Sequence, residues 1–315
     1  MNHSFKRLAA TLPALLAFSL AMAPLAPAAL AQGKVTQLED ASGRKVQIRD
    51  AKRVVTLSGG ITEIVYALKA GSRVVGTDIT SMYPPEVRRL PKVGQDRRVS
   101  AEGVIALNPS LVIASTDAEP SSALNQLRAM GVSVLLVSDE QSLAGAQARI
   151  QLIAKALGVE AEGKRLLATL NRETTEAQAI AAPARPPKVL FIYARGAGSL
   201  NVAGTDTAAH AMLTLAGAQN AVTEFTGYKP FTAEAAIKAA PDLIMITDSG
   251  AKSLGGADAI FKLPGLAQTP AGAAKRVVAM DDLLLLGFGP RTGQALKELR
   301  QALYLAPKAP KTAKP

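Results

Sequence analysis

The segment Ser100-Ala101-Glu102-Gly103-Val104-Ile105-Ala106-Leu107-Asn108-Pro109-Ser110-Leu111-Val112-Ile113-Ala114-Ser115 decides the fold class. Ser100 with an acid close behind is a helix start. Pro109 falls where the helix must already have ended. Leu111–Ala114 is an unbroken apolar run, short enough for a strand buried on both faces. The same grammar returns at Thr232-Ala233-Glu234-Ala235-Ala236-Ile237, which leads to Pro241-Asp242-Leu243-Ile244-Met245-Ile246-Thr247. Glu and Pro are seven residues apart in both copies. Such units also recur in α/β proteins without duplication, and the echo is compatible with either origin.

Working outward, strands are expected at Val54–Leu57, Val74–Thr77 and Val134–Val137, with helices at Thr62–Leu68, Ala101–Ala106 and Ser122–Met130. A long helical pattern begins at Leu143, breaks at Gly158 and resumes from Glu160 to about Ala181. Ala182-Pro183-Ala184-Arg185-Pro186-Pro187 then stops it. The second half repeats the alternation with strands Val189–Tyr193, Leu243–Ile246 and Val277–Ala279, and helices Thr207–Leu215, Ala233–Ala239 and Thr292–Tyr304. Strands alternating with helices argue parallel βα units. The expectation is therefore an α/β chain: an N-terminal lobe over 32–158, a connecting helix over 159–183 and a C-terminal lobe over 184–305. Ligands in such architectures sit in the cleft, against loops at the carboxyl ends of strands.

The chain has 315 residues, 48% of them apolar and 19% charged, which is globular composition. Lys6 and Arg7 precede an apolar stretch from Leu8 to Met22, and Ala29-Leu30-Ala31 offers a small-residue cleavage site. Residues 1–31 read as a secretory signal peptide rather than an uncleaved anchor, with a mature start near Gln32 and an exported, soluble product. Absence of Cys excludes a lipidated mature terminus, disulfides, thiolate metal sites and cysteine nucleophiles. Residues 306–315, rich in Pro, Lys and Ala, read as a disordered tail. The formal charge is +11, with 36 Lys and Arg against 25 Asp and Glu. Much of the excess lies in the leader and tail, and no Arg/Lys cluster interleaved with aromatics suggests nucleic acid. A small anionic ligand fits the remaining charge better.

Cleavage would leave His210 as the sole histidine, too few for a His-based triad or a zinc site. His210 itself reads as a helical residue or a ligand-facing one. Gly196-x-Gly198 follows a strand, but Asn201 stands where a third glycine would complete a dinucleotide fingerprint. The sharper feature is Thr77-Asp78-Ile79-Thr80-Ser81-Met82-Tyr83-Pro84-Pro85, a loop stiffened after its tyrosine. A phenol held this way can be a surface group, a core anchor or a ferric ligand.

Four stretches carry a family resemblance: Val54-Val55-Thr56-Leu57-Ser58-Gly59-Gly60-Ile61-Thr62-Glu63, the Thr80-Ser81-x-Tyr83-Pro84 loop, Gly198 to Thr207, and Leu285-Leu286-Gly287-Phe288-Gly289-Pro290-Arg291. From Arg53 to Tyr304 the chain resembles the periplasmic haem-binding proteins of bacterial haem-import ABC transporters. The first stretch also occurs in siderophore and cobalamin binders, so the tyrosine loop discriminates. The resemblance implies two Rossmann-like lobes joined by one long rigid connecting helix, the class III substrate-binding fold. It implies ferric haem as transported ligand, a monomer, a periplasmic location and delivery to a permease with its ATPase subunits, without enzymatic turnover. The alternative on the same scaffold is a ferric-siderophore or corrinoid binder.

Residue by residue, the resemblance makes Tyr83 the axial iron ligand, beside Thr80, Ser81 and Met82. A phenolate oxygen suits ferric haem. Arg195 is expected either to favour the charged form of Tyr83 or to meet a propionate, unless it is a solvated loop residue. Tyr228 and Phe231 are candidates to cover the porphyrin and Lys229 to reach a propionate. Phe231 can equally be a hydrophobic staple for the helix that Thr232 caps. Glu63 and Glu234 are expected to dock on permease arginines, unless they only favour helix starts. A second histidine ligand is missing near the loop, which speaks against stacked pairs of haem.

Overall fold

The computed structural model describes Met1 and residues 35–95, 98–119 and 121–305; the rest of the expected leader and the expected tail lie outside the described residues. From Val35 onward these residues belong to one compact unit.

In the N-terminal half the strands run in the order Val74–Thr77, Val54–Leu57, Leu111–Ser115, Ser133–Val137, all parallel. Successive strand residues point to opposite faces. Leu111 and Ile113 therefore join one apolar layer with Ile61, Ile64 and Ile150, while Val112 and Ala114 join the other with Val104, Leu124 and Leu127. Helices cover both faces, which is why these strands read as continuous apolar runs.

The C-terminal sheet is mixed. Lys188–Ala194 pairs in parallel with Leu243–Thr247, which pairs in parallel with Val277–Met280. On its other side Leu200–Ala203 runs antiparallel, followed by the edge strand Tyr228–Pro230. The sequence shows no strand signal at Tyr228–Pro230. A three-residue edge strand that ends in Pro carries little strand signal, and proline without an N–H is tolerated at an edge. The hairpin Thr36–Glu39 with Lys45–Ile48 is likewise additional. The second half thus shares the first half's parallel units and adds an antiparallel margin.

Both copies of the echo form as expected. Ser100 Oγ accepts from Gly103 N at 3.0 Å and Thr232 Oγ1 from Ala235 N at 3.2 Å, capping helices Ala101–Ala106 and Ala233–Ala239. Pro109 and Pro241 are buried, whereas Glu102 and Glu234 are exposed.

Helix Leu143–Leu157 ends at Gly158, whose φ of 66° is the left-handed state glycine tolerates. The connecting helix is Glu160–Gln178. Leu170 on it joins a core layer of the N-terminal half, and Ala177 joins one of the C-terminal half. It stops short of the expected end near residue 183, and just beyond it the Arg300 guanidinium takes the Ile180 carbonyl. The closing helix Thr292–Tyr304 packs along the connector. At Gly293 a Cβ would lie 2.7 Å from Glu173 Cβ and 2.9 Å from the Leu170 carbonyl oxygen, so only glycine fits. Among the described residues no helix is long and apolar enough to cross a membrane.

Candidate functional site

Loops at the carboxyl ends of the parallel strands of both sheets line one cleft of about 850 Å³. One wall carries Ile61, Ile79, Thr80 and Met82; the other carries Tyr193, Arg195, Leu283 and Leu286.

The loop after Val74–Thr77 is held from beneath. Asp78, fully buried, accepts from the Thr80 N–H at 3.1 Å and from the hydroxyls of Thr80 and Ser81. Ser81 Oγ also meets Thr62 Oγ1 at 2.7 Å, which meets Thr56 Oγ1 at 2.7 Å. Lys92 Nζ donates to Thr77 Oγ1 and to the Ser81 carbonyl, each at 2.8 Å, and desolvation lowers its pKa. With its polar groups satisfied internally, the loop turns Ile79, Met82 and Tyr83 outward, 49, 46 and 43% exposed. Clustered exposed apolar side chains on a rigid loop mark a ligand surface. The Tyr83–Pro84 peptide is cis.

Over the Tyr83 ring lies the guanidinium of Arg291, 3.9 Å from the centroid. Arg291 is paired bidentately with Glu63, its Nε donating to Oε2 at 3.2 Å and its Nη2 to Oε1. Glu63 is only 3% exposed. Desolvation raises its pKa despite the opposing pull of Arg291. Burial would lower the pKa of Arg291, but the bond and charge of Glu63 outweigh this and leave it raised.

On the opposite wall Arg195 Nη2 donates to Tyr193 Oη at 2.9 Å. Tyr228 packs on Tyr193 with centroids 5.8 Å apart and planes at 53°. Desolvation, with the Tyr193 phenol second, pushes the Tyr228 pKa up to about 12. At the rim, desolvation followed by Asp281 and Asp282 raises that of Asp248. Arg149, 6% exposed, lines the cleft floor and donates to the carbonyls of Ser138, Glu140 and Phe288.

Several expected site residues are corrected by this geometry. Ser81 faces the buried Asp78 network and scaffolds the loop instead of meeting a ligand. Arg195 lines the cleft and donates to Tyr193, so the cation on Tyr83 is Arg291 instead. Lys229 alternates away from Tyr228 in its strand and lies over the Phe225 ring, 4.7 Å from the centroid. Phe231 packs against the core beneath Leu200, which favours the staple-like reading over a porphyrin cover. Glu63 is no surface carboxylate; burial and Arg291 occupy it, and a permease arginine cannot reach it. Thr80 and Met82 do line the cleft, and Glu234 is exposed. Residues missed by sequence reasoning are Tyr193, Arg291, Arg149 and Glu102. The Tyr193-Ala194-Arg195 strand end and the Glu102/Glu234 echo were the available signals; nothing local pairs Arg291 or Arg149 with its partner.

The model of the periplasmic binding protein family matches residues 54–284. The periplasmic heme-binding protein RhuT from Roseiflexus sp. RS-1 is 45% identical, with a TM-score of 0.76 over 81% of this chain and 98% of that one. The periplasmic heme-binding protein BhuT, solved with two hemes, is 42% identical at the same TM-score and the same coverage. An ABC transporter substrate-binding lipoprotein of Bacillus subtilis, YvrC, is 34% identical over 85% of each chain. A vitamin B12-binding protein of Photorhabdus laumondii is 34% identical over only 26% of this chain and 30% of its own. With its two-sheet architecture, its cleft at the strand ends and a family match spanning both halves, the chain belongs to the periplasmic binding protein family.

Proposed function

We propose that the protein captures ferric haem in the cleft, with Tyr83 as axial ligand, and delivers it to an inner-membrane ABC permease and its ATPase. The observation that carries this reading is a hard oxygen donor among exposed apolar side chains on a clamped loop, with a guanidinium on its ring. Haem is a broad apolar plate with two carboxylates. Ile79, Met82, Leu283 and Leu286 supply apolar contact, and Arg88, Arg195 and Lys252 are cleft cations suited to propionates. The protein works as a periplasmic monomer and performs no chemistry on the ligand. The likeness to the heme-binding proteins RhuT and BhuT supports this over the corrinoid alternative, whose relative matches a short segment. A haem titration of wild type and Tyr83→Ala tests it. The expected result is a phenolate–Fe(III) absorption band in wild type, and in the variant no band and affinity weaker by about a hundredfold, about 2.8 kcal/mol. Unaltered binding and spectrum in Tyr83→Ala, or binding of cyanocobalamin but not haem, overturns it.

One observation favours a second haem. Tyr193 lines the cleft with Arg195 on its oxygen, a second tyrosine–arginine pair besides Tyr83 and Arg291. The same titration decides by stoichiometry: two equivalents in wild type, falling to one in Tyr193→Phe.

Docking on the permease is assigned to Glu102 and Glu234, the exposed carboxylates of the two matching capped helices, with Glu102 replacing Glu63. Rim charges of this kind set orientation and encounter rate. Reversing both charges is expected to leave haem affinity unchanged and abolish uptake in cells; retained uptake rejects the assignment.

A further inference from the structure

Beside Tyr83 the two lobes meet at a narrow seam. Gly60 of the N-terminal lobe abuts Gly287 of the other so closely that a Cβ on Gly60 would lie 2.6 Å from the Gly287 carbonyl oxygen. Arg149 Nη2 of the N-terminal lobe donates to the Phe288 carbonyl at 2.7 Å. Phe288 is 1% exposed and has a φ of 42°, a state non-glycine residues seldom adopt. Three residues on, Arg291 reaches back across the seam to Glu63 and the Tyr83 ring. Tyr83 and Glu63 thus belong to one lobe, and the cation that serves both belongs to the other.

We propose that Arg291 is a positioning residue that couples lobe separation to haem release: it steadies the Tyr83–iron bond while the seam is shut and leaves with the C-terminal lobe when the seam opens. This rests on the reading of Tyr83 as the iron's ligand. Cation–ring attraction is lost beyond about 6 Å, so an opening of a few ångströms suffices to remove it. Glu63 fixes the guanidinium in its stacked orientation, because a bidentate carboxylate holds a planar fork in one plane. Opening also admits water to both members of the pair at once. Neither charge is then left buried and unpaired, so separation avoids the penalty of breaking such a pair from one side. A permease that grips the two lobes through separate carboxylates would draw Arg291 off Tyr83 by the same movement.

The test uses full-length haem-loaded protein with apomyoglobin as haem acceptor. Arg291→Ala is expected to speed haem loss about tenfold and to shift the phenolate–iron charge-transfer band to longer wavelength, since the cation no longer lowers the phenolate's energy. Arg291→Lys should restore part of both. Gly60→Ala wedges the seam open without removing a polar group. It should reproduce both changes and add almost nothing in an Arg291→Ala background, where there is no cation left to withdraw. Independent, multiplicative effects of the two substitutions, or a band unmoved by Arg291→Ala in a folded variant, overturn the proposal. Tyr83→Phe separates the two claims. If it keeps the band, the ligand assignment fails and the coupling with it. If it loses the band while Arg291→Ala changes nothing, the coupling alone fails.

Discussion

The two lobes hold tyrosines at the cleft in opposite ways: Tyr193 lines it, and Tyr83 stands beside its lining residue Met82. On the N-terminal lobe, Tyr83 stands next to the cleft-lining Met82, on a loop whose buried anchor, Asp78, satisfies Thr80 and Ser81 from below, and its ring is stacked by a cation from the other lobe. On the C-terminal wall, Tyr193 lies at the end of a central strand with its cation only two residues away, and Tyr228 rests on it from an edge strand. One tyrosine depends on tertiary structure for both its position and its cation; the other takes its cation from just past the end of its own strand. On the proposed reading of Tyr83 as ligand, an interlobe-dependent donor suits controlled capture and release, whereas a locally completed tyrosine tolerates lobe movement.

The sharpest way to break this contrast is Asp78→Ala. It strands buried hydroxyls and an N–H under the Tyr83 loop and should lower stability by about 3 kcal/mol in urea unfolding, with haem affinity falling alongside. The equivalent cut on the other lobe, Tyr193→Phe, removes two exposed-side hydrogen bonds from Arg195. Its unfolding midpoint should stay within about 0.5 kcal/mol of wild type. Equal destabilisation by the two substitutions would erase the distinction between the walls. The smallest effect is spectroscopic. Because the folded-state pKa of Tyr228 is raised to about 12, the stability tied to its neutral form is complete below the ordinary phenol value of about 10 and is lost as pH rises through 12. Ultraviolet titration should show a late tyrosine component that is missing in Tyr228→Phe.

Much of the parallel framework was legible because buried strands leave an unmistakable trace. Leu111–Ala114 and Leu243–Ile246 must be apolar at every position, since alternate residues enter two different cores. The edge strand Tyr228–Pro230 left no such trace, being short, exposed and closed by a proline. For the site, Tyr83 and the loop around it stood out as a local pattern. Ser81 lies beside Tyr83, and Lys229 and Phe231 beside Tyr228, but their side chains are claimed by Asp78, Phe225 and the core. Glu63 shows the limit most clearly. Its burial is set by Arg291, 228 positions away, and no local signal encodes a pairing made by bringing two lobes together.

The connecting helix has a thermodynamic consequence. Leu170 and Ala177 lie two turns apart on one rod, yet each completes the apolar layer of a different half, and the closing helix is pressed to that rod at Gly293. Unfolding either half strips a wall from the other, so the halves should melt in one calorimetric transition. A carrier built this way has no stable half-molecule offering one bare, sticky wall of the cleft, and the cell envelope meets it either whole or wholly unfolded.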